Sequence, residues 1–362
     1  MRFGHGGRDR RGQAMSDLEP ITPSEAIDLH LERVDTDAAE WTHTGHKSDL
    51  RAFLEWCREE GGVDNLNTLS GRDLYKFRVW RREGGYSNGQ DEELAKKTLH
   101  SNLATLRSFL RFCGSIDAVS EDLYLSVPLP SLSDDDEVSD SKIVPERVPV
   151  VLEYLRTYEY ASRDHVTWML LWYLGSRTGG IRSIDLDEDV ELDGREPGID
   201  LRHRPETGTP LKNGKQSERY NRIEDWIAGV LEDWIDGPRP DVTDEYGREP
   251  LITTTRGRVS ASCIRDAVYR WTRPCARGEE CPHERDPETC EATDHSKMSK
   301  CPSSRSPHDI RKARVTKYRN DNVPRGVVAE EVDASERILD KHYDRASRRE
   351  KGSRRWEFID RE

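Results

Sequence analysis

Apolar residues are scarce in this 362-residue chain: they make up 33% of it, with only six Phe and four Met. No apolar run approaches the roughly 18 residues that a membrane-spanning helix needs, so no membrane partner is expected. The stretch from Met1 to Ala14 is rich in Gly and Arg and has no apolar segment, which excludes a secretory signal peptide. It reads as a disordered extension over residues 1–15, with Met15 as an alternative start, and a cytoplasmic protein is expected.

Low apolar content combined with net charge is the composition of disordered chains. Nine Trp and several amphipathic segments argue instead for real cores. Charged residues make up 35% of the chain, and the net charge is −13. Arg far outnumbers Lys among the basic residues. This balance reads as a halophilic surface, whose acidic residues stay solvated where the Debye length falls to about 3 Å in about 1 M salt. Long-range repulsion of DNA is screened under the same conditions, so local Arg clusters would decide binding. The acidic balance therefore does not exclude nucleic acid.

Cysteine usage divides in two. Cys57, Cys113 and Cys263 stand singly in helix-like stretches and read as core residues. The other four fall in CARGEECPHERDPETCEATDHSKMSKC, at Cys275, Cys281, Cys290 and Cys301, with His283 and His295 between them. Thiolates and imidazoles in such a cluster can hold zinc tetrahedrally. The four Cys are the best ligand set, with His283 as the main substitute; free thiols and disulfides are the alternatives. The expected role is a structural zinc, because the stretch has too little apolar mass for a core of its own.

Periodicity organises the chain as mainly α with a small β-sheet, an α+β fold. Residues 16–125 read as a helical domain: Leu50, Phe53, Leu54 and Cys57 fall at i, i+3, i+4, i+7. Ser70 is placed to cap RDLYKFRVWRRE, and Leu99, Leu103, Leu106 and Leu110 share one side of the next helix. Residues 126–147, rich in Pro, Ser and Asp, read as a linker. A second domain over 148–362 opens with two helices and then gives strand-like pieces at Val190–Leu192, Gly198–His203 and Arg219–Ile223, with a turn signal at Asn213-Gly214. It resumes as helices, takes a Cys-rich insertion over 273–305, and is helical again from Pro307.

Three stretches carry candidate chemistry. SPHDIRKARVTKYRNDNVPRGVVAEEVDASERILDKHYDR (306–345) holds His308, Arg311 and, further on, Tyr343. YLGSRTGGIRSIDLDED (173–189) offers Arg177 after Gly175 or, in a rival register, Arg182. TPLKNGKQSERYNRI (209–223) offers Lys212 or Lys215 on a hairpin. In this order and spacing they resemble the catalytic domain of the tyrosine recombinase (phage integrase, Xer-like) family, here of a haloarchaeal type. His308, Ile310 and Arg311 match its HxLR motif, and Val315, Val323, Val327 and Val328 match the apolar register that follows. The resemblance covers most of 145–345. The helical domain resembles the family's SAM-like core-binding domain in size and position only.

The resemblance implies an enzyme that cuts and rejoins double-stranded DNA without a catalytic cofactor, binding as a homodimer and assembling as a homotetramer. Two guanidiniums, Arg177 and Arg311, would clamp the phosphate oxygens with bidentate, charge-assisted bonds. Tyr343 would be the nucleophile, forming a 3′-phosphotyrosine. His308 would move its proton, and Lys212 would protonate the 5′-oxygen leaving group. Two departures stand out. Ala334 occupies the place of a usual His or Trp, with Lys341 or His342 as stand-ins, and Gly180 replaces a usual acidic residue, with Asp185 or Asp187 as substitutes. A regulator that binds DNA but cuts poorly is the runner-up, ahead of a type IB topoisomerase relative and a zinc-finger transcription factor.

Overall fold

In the computed structural model, the described residues are 18–37, 40–86, 93–133, 136, 143–339, 349, 352–353 and 355–356. They divide into two compact units, with the boundary between Ser139 and Asp140.

The amphipathic stretches of the first unit become four helices: α1 (Pro23–Asp37), α2 (Glu40–Trp56), α3 (Gly71–Arg82) and α4 (Lys96–Ser115). On α4 the expected stripe of Leu99, Leu103, Leu106 and Leu110 is buried, joined by Phe109 and Cys113. Phe53, Trp56, Phe77 and Phe109 meet edge-on or stacked at its centre. Each such side chain contributes roughly 1.5–3 kcal/mol on burial. Ser70 and Asp73 form a reciprocal capping box that starts α3. One polar ladder crosses this core. Asp49 accepts from Asn102 at 2.6 Å and from Thr105 at 2.7 Å, while Arg81 donates to Asn102 at 2.9 Å. Helices α2, α3 and α4 are thereby held in one register.

The second unit is built around α6 (Arg163–Tyr173), which follows α5 (Arg147–Tyr158). Its sequence HVTWMLLW is apolar on every side, and residues 165–172 are all buried, as a helix inside a core must be. The indoles find partners: Trp168 Nε1 donates to Ala267 O at 3.2 Å and Trp271 Nε1 to Asp164 at 2.7 Å. Two short helices follow, α7 (Thr178–Ser183) and α8 (Leu186–Asp189). Then comes an antiparallel sheet in the order β1 (Val190–Glu191), β2 (Gly198–Leu201), β3 (Arg219–Arg222). Its register pairs Val190 with Ile199, and Ile199 with Asn221.

Helix α9 (Asp225–Asp236) packs its apolar face inward. A hairpin that the sequence reading did not anticipate, β4 (Thr253–Thr254) with β5 (Gly257–Arg258), precedes α10 (Ala261–Thr272). Cys57 and Cys113 are buried as expected, whereas Cys263 on α10 is only half-buried. After the Cys-rich insertion come α11 (Pro307–Asn320), α12 (Arg325–Val332) and α13 (Glu336–Ile338). Val315, Val328 and Val332 form a small apolar cluster, with Val323 packed against it. Val327, expected in the same register, faces solvent. Among the described residues no helix is long and apolar enough to cross a membrane.

Candidate active site

The candidate residues come from four separated elements. Arg177 precedes α7 in the turn after α6. Gly175, two residues earlier, has φ +54°, and a Cβ there would meet Val332 Cγ1 at 2.9 Å. Only glycine allows the end of α12 to come so close. Arg311 lies on α11, is 1% exposed and ties these elements together. Its Nη1 donates to Gly175 O at 2.6 Å and also to Val332 O, and its Nη2 donates to Asp333 O at 3.3 Å.

Asp333 is the centre of the arrangement. It caps α12 in the left-handed region at φ +53°. Its carboxylate accepts from Arg177 Nη1 at 2.5 Å, from the Ser217 hydroxyl at 2.6 Å and from the Asn213 side-chain amide at 3.2 Å. Burial alone would raise its carboxyl pKa, but the Ser217 bond, the Arg177 charge and the Asn213 bond outweigh this and hold it below the ordinary value. Asp333 is therefore ionised.

A third guanidinium, Arg219 on β3, lies beside the first two. It donates to Glu331 O at 2.9 Å and to Ser217 O at 3.0 Å. Burial, with the like charges of Arg311 and Arg177, lowers its pKa to about 10 against the pull of Asp333 and Glu331. It remains charged at neutral pH. His308 keeps an exposed surface on α11. Even so, desolvation by the surrounding protein, followed by repulsion from Lys312, Arg311 and Arg177, pushes its pKa down to about 4. The imidazole is neutral at pH 7.

Lys212 is exposed, in the turn after buried Leu211. Its neighbour Asn213 reaches Asp333, so the loop that carries Lys212 meets the arginine centre through Asn213 and Ser217. Lys215 is exposed on the following turn, Gly214–Ser217. Arg182, the rival of Arg177, points elsewhere and donates to Gly208 O at 2.8 Å. Tyr343, Lys341 and His342 lie outside the described residues.

The suggested substitutes for an acidic residue at Gly180 do not support Arg177. Asp185 is bonded to Arg258 and Arg248, with Arg204 3.5 Å away, and Asp187 is exposed. The carboxylate beside Arg177 is Asp333, which the sequence reading missed, as it missed Arg219. The signal available for Arg219 was β3 alternation, which sets Arg219 and Asn221 on one face; both donate to Glu331 O. Nothing local marked Asp333, which meets Arg177 across 156 residues of chain.

The candidate metal ligands stand apart from this centre in sequence. Cys275, Cys281, Cys290, Cys301 and His283 line one cavity of about 10 Å³. Among the described residues no three His, Cys, Asp or Glu side chains are arranged as a ready-made metal site.

Residues 29–114 match the phage integrase N-terminal SAM-like domain. The N-terminal domain of a phage integrase/site-specific recombinase from Haloarcula marismortui is 31% identical, covering 31% of this chain and 99% of its own, with a TM-score of 0.27. The Tn1549 transposon integrase in complex with a circular intermediate DNA is 14% identical over 94% of this chain and 100% of its own, with a TM-score of 0.60. A lambda integrase tetramer bound to a Holliday junction is 11% identical over 95% of this chain and 84% of its own, with a TM-score of 0.58. No curated protein matches the chain. The fold is thus a helical SAM-like domain followed by an integrase-type catalytic domain. Residues 29–114 carry a phage integrase N-terminal SAM-like domain, and the chain is similar in fold to solved integrases.

Proposed function

We propose that this protein is a site-specific DNA recombinase that cleaves and rejoins DNA through a 3′-phosphotyrosine on Tyr343. One observation carries the reading. Three guanidiniums gather around Asp333, with a neutral imidazole near Arg311 and Arg177, in a chain whose net charge is −13. Concentrating positive charge against the overall balance makes an anion site, and Asp333 stands where a phosphate would sit.

In this reading the scissile phosphodiester displaces the Asp333 carboxylate from Arg177. Arg177 takes its nonbridging oxygens, and Arg311 and Arg219 add charge beneath it. Such preorganised donors stabilise the charge that builds on five-coordinate phosphorus. The Tyr343 hydroxyl gives its proton to His308 and attacks phosphorus; the bond to the 5′-oxygen breaks, and Lys212 protonates that oxygen. Attack by a 5′-hydroxyl on the phosphotyrosine reverses these steps. The bond energy is retained, so resealing needs no ATP. A homodimer on each duplex and a homotetramer across two follow by analogy with the lambda integrase tetramer, as do a cytoplasmic location and a salt-rich working medium from the composition.

A second reading has one observation in its favour. Ala334 is packed against the Val315–Val328–Val332 cluster and carries no side-chain donor, where the family resemblance leads one to expect a His. This favours a DNA-binding regulator that cuts poorly. The two readings separate on nicked suicide duplexes, in high salt, bearing candidate sites from beside the gene. The recombinase reading expects a denaturation-resistant protein–DNA adduct that Tyr343→Phe abolishes. A specific gel shift without any adduct would establish the regulator instead.

A further inference from the structure

We propose that Cys275, Cys281, Cys290 and Cys301 hold one zinc ion as a structural tetrathiolate site. The stretch 273–305 contributes no buried residue to any of the three apolar clusters. It is folded all the same, as three short 3₁₀ turns, Pro274–Arg277, Glu291–Thr293 and His295–Lys300. Among its apolar side chains it buries Ala292, Met298 and Cys301, with Ala276 packed against the main core, which is little apolar mass to order 33 residues.

The backbone treats the four cysteines alike. Each opens a turn in which its carbonyl accepts from the amide three residues on: Cys275 from Gly278 at 3.2 Å, Cys281 from Glu284 at 3.2 Å, Cys290 from Thr293 at 3.0 Å and Cys301 from Ser304 at 2.9 Å. The first two turns close on left-handed residues, Gly278 at φ +75° and Glu284 at φ +54°. Four turns of one kind, spaced over 27 residues, bring four sulfurs to the wall of one cavity of about 10 Å³. A space of this size is at the lower limit of about 10–15 Å³ for a water molecule, and it suits a bare ion. All four thiols are free.

The same wall carries Arg273 and Arg285. A zinc ion with four thiolates bears two net negative charges, which these guanidiniums offset. His283 is engaged elsewhere, its Nε2 2.8 Å from Ser303 Oγ, which favours four sulfurs over a mixed set. The thiols line the cavity without converging on one point. The proposal requires the four thiols to turn inward, so that each sulfur reaches the roughly 2.3 Å that zinc–sulfur bonds require.

The site would brace the start of α11. Ser304 Oγ donates to Met298 O at 2.6 Å and lies 3.2 Å from Tyr269 O, and Arg305 N donates to Thr272 Oγ1 at 3.0 Å. The insertion is thereby clipped to α10, one turn of chain before His308.

The test is metal content of the full-length protein, then cobalt(II) uptake after chelation. One zinc per chain is expected, with cobalt giving the intense d–d and sulfur-to-metal bands of a tetrahedral thiolate site. Cys281→Ser and Cys290→Ser should lose the metal, and Cys263→Ser should keep it. A protein without zinc that takes up no cobalt would overturn the proposal, whether its thiols are all reactive to a thiol reagent or paired as disulfides. Because the unaltered protein decides, misfolding of a variant does not obscure the result.

Discussion

Arg177 and Asp333 form an ion pair at 2.5 Å in which the side chains are 24% and 13% exposed, and Ser217 donates to the same carboxylate at 2.6 Å. If the carboxylate stands in for a phosphate, removing its charge has two opposite effects. Asp333→Asn should lower stability by roughly 1–2 kcal/mol, discounted for partial exposure. It should tighten DNA binding by up to about tenfold, or 1.4 kcal/mol. Thermal melts and fluorescence anisotropy on labelled duplex check both. Weaker DNA binding would argue that Asp333 positions Arg177 and does not compete with DNA.

Arg177 and Arg311 should fail differently. Arg177 is partly exposed beside Asp333, whereas Arg311 is 1% exposed and donates to three backbone carbonyls. Arg177→Ala should reduce the cleavage rate by about 10²–10³-fold, the typical cost of one preorganised donor. Arg311→Ala should also cost about 3–5 kcal/mol of stability by stripping buried carbonyls of a charged partner. Single-turnover cleavage and urea melts distinguish the two.

Two buried histidines set an acid limit. His30 is 0% exposed and His165 is 2% exposed, and each has its pKa lowered to about 4, first by burial. The Nδ1 of His165 accepts from Ala161 N at 3.2 Å, which requires a neutral ring. The unfolded chain binds more protons between the folded value and about 6.5, so stability rises with pH there. It is fully present above about 6.5 and is lost as pH falls to the folded value, on the order of 3 kcal/mol for each histidine. Stability measured from pH 7 to 4 should fall, and His165→Gln should flatten the curve.

A second charge network underlies the Lys212 loop. Asp185 is bonded to Arg258 and Arg248, and Arg258 and Arg248 share Asp244. All four side chains are at most 16% exposed, so salt screens them little. Asp185→Ala leaves buried guanidiniums unpaired and should cost about 3–5 kcal/mol. The loss should persist in high salt, where a surface pair would show none.

Much of the architecture was legible because it is periodic. The α4 stripe, the Ser70 cap and the three strands each repeat a pattern along the chain. The β4–β5 hairpin was not legible, since strands of two residues carry no period. Val327 shows the limit of a register carried over by resemblance, because its side of α12 faces solvent while Val328 beside it is buried. In the arginine centre, residue types read from motifs located Arg177, His308 and Arg311, but Asp333 and Arg219 reach them only through tertiary folding. Arg177 was preferred to Arg182 from the sequence register; in the structure the first faces Asp333 and the second Gly208.

The most direct measurement is to digest the trapped protein–DNA adduct and find by mass spectrometry which residue carries the nucleotide. Cleavage at the arginine centre predicts a 3′-phosphonucleotide on the peptide containing Tyr343, with none formed by Tyr343→Phe. A nucleotide on any other residue, or specific DNA binding that yields no adduct, would contradict it.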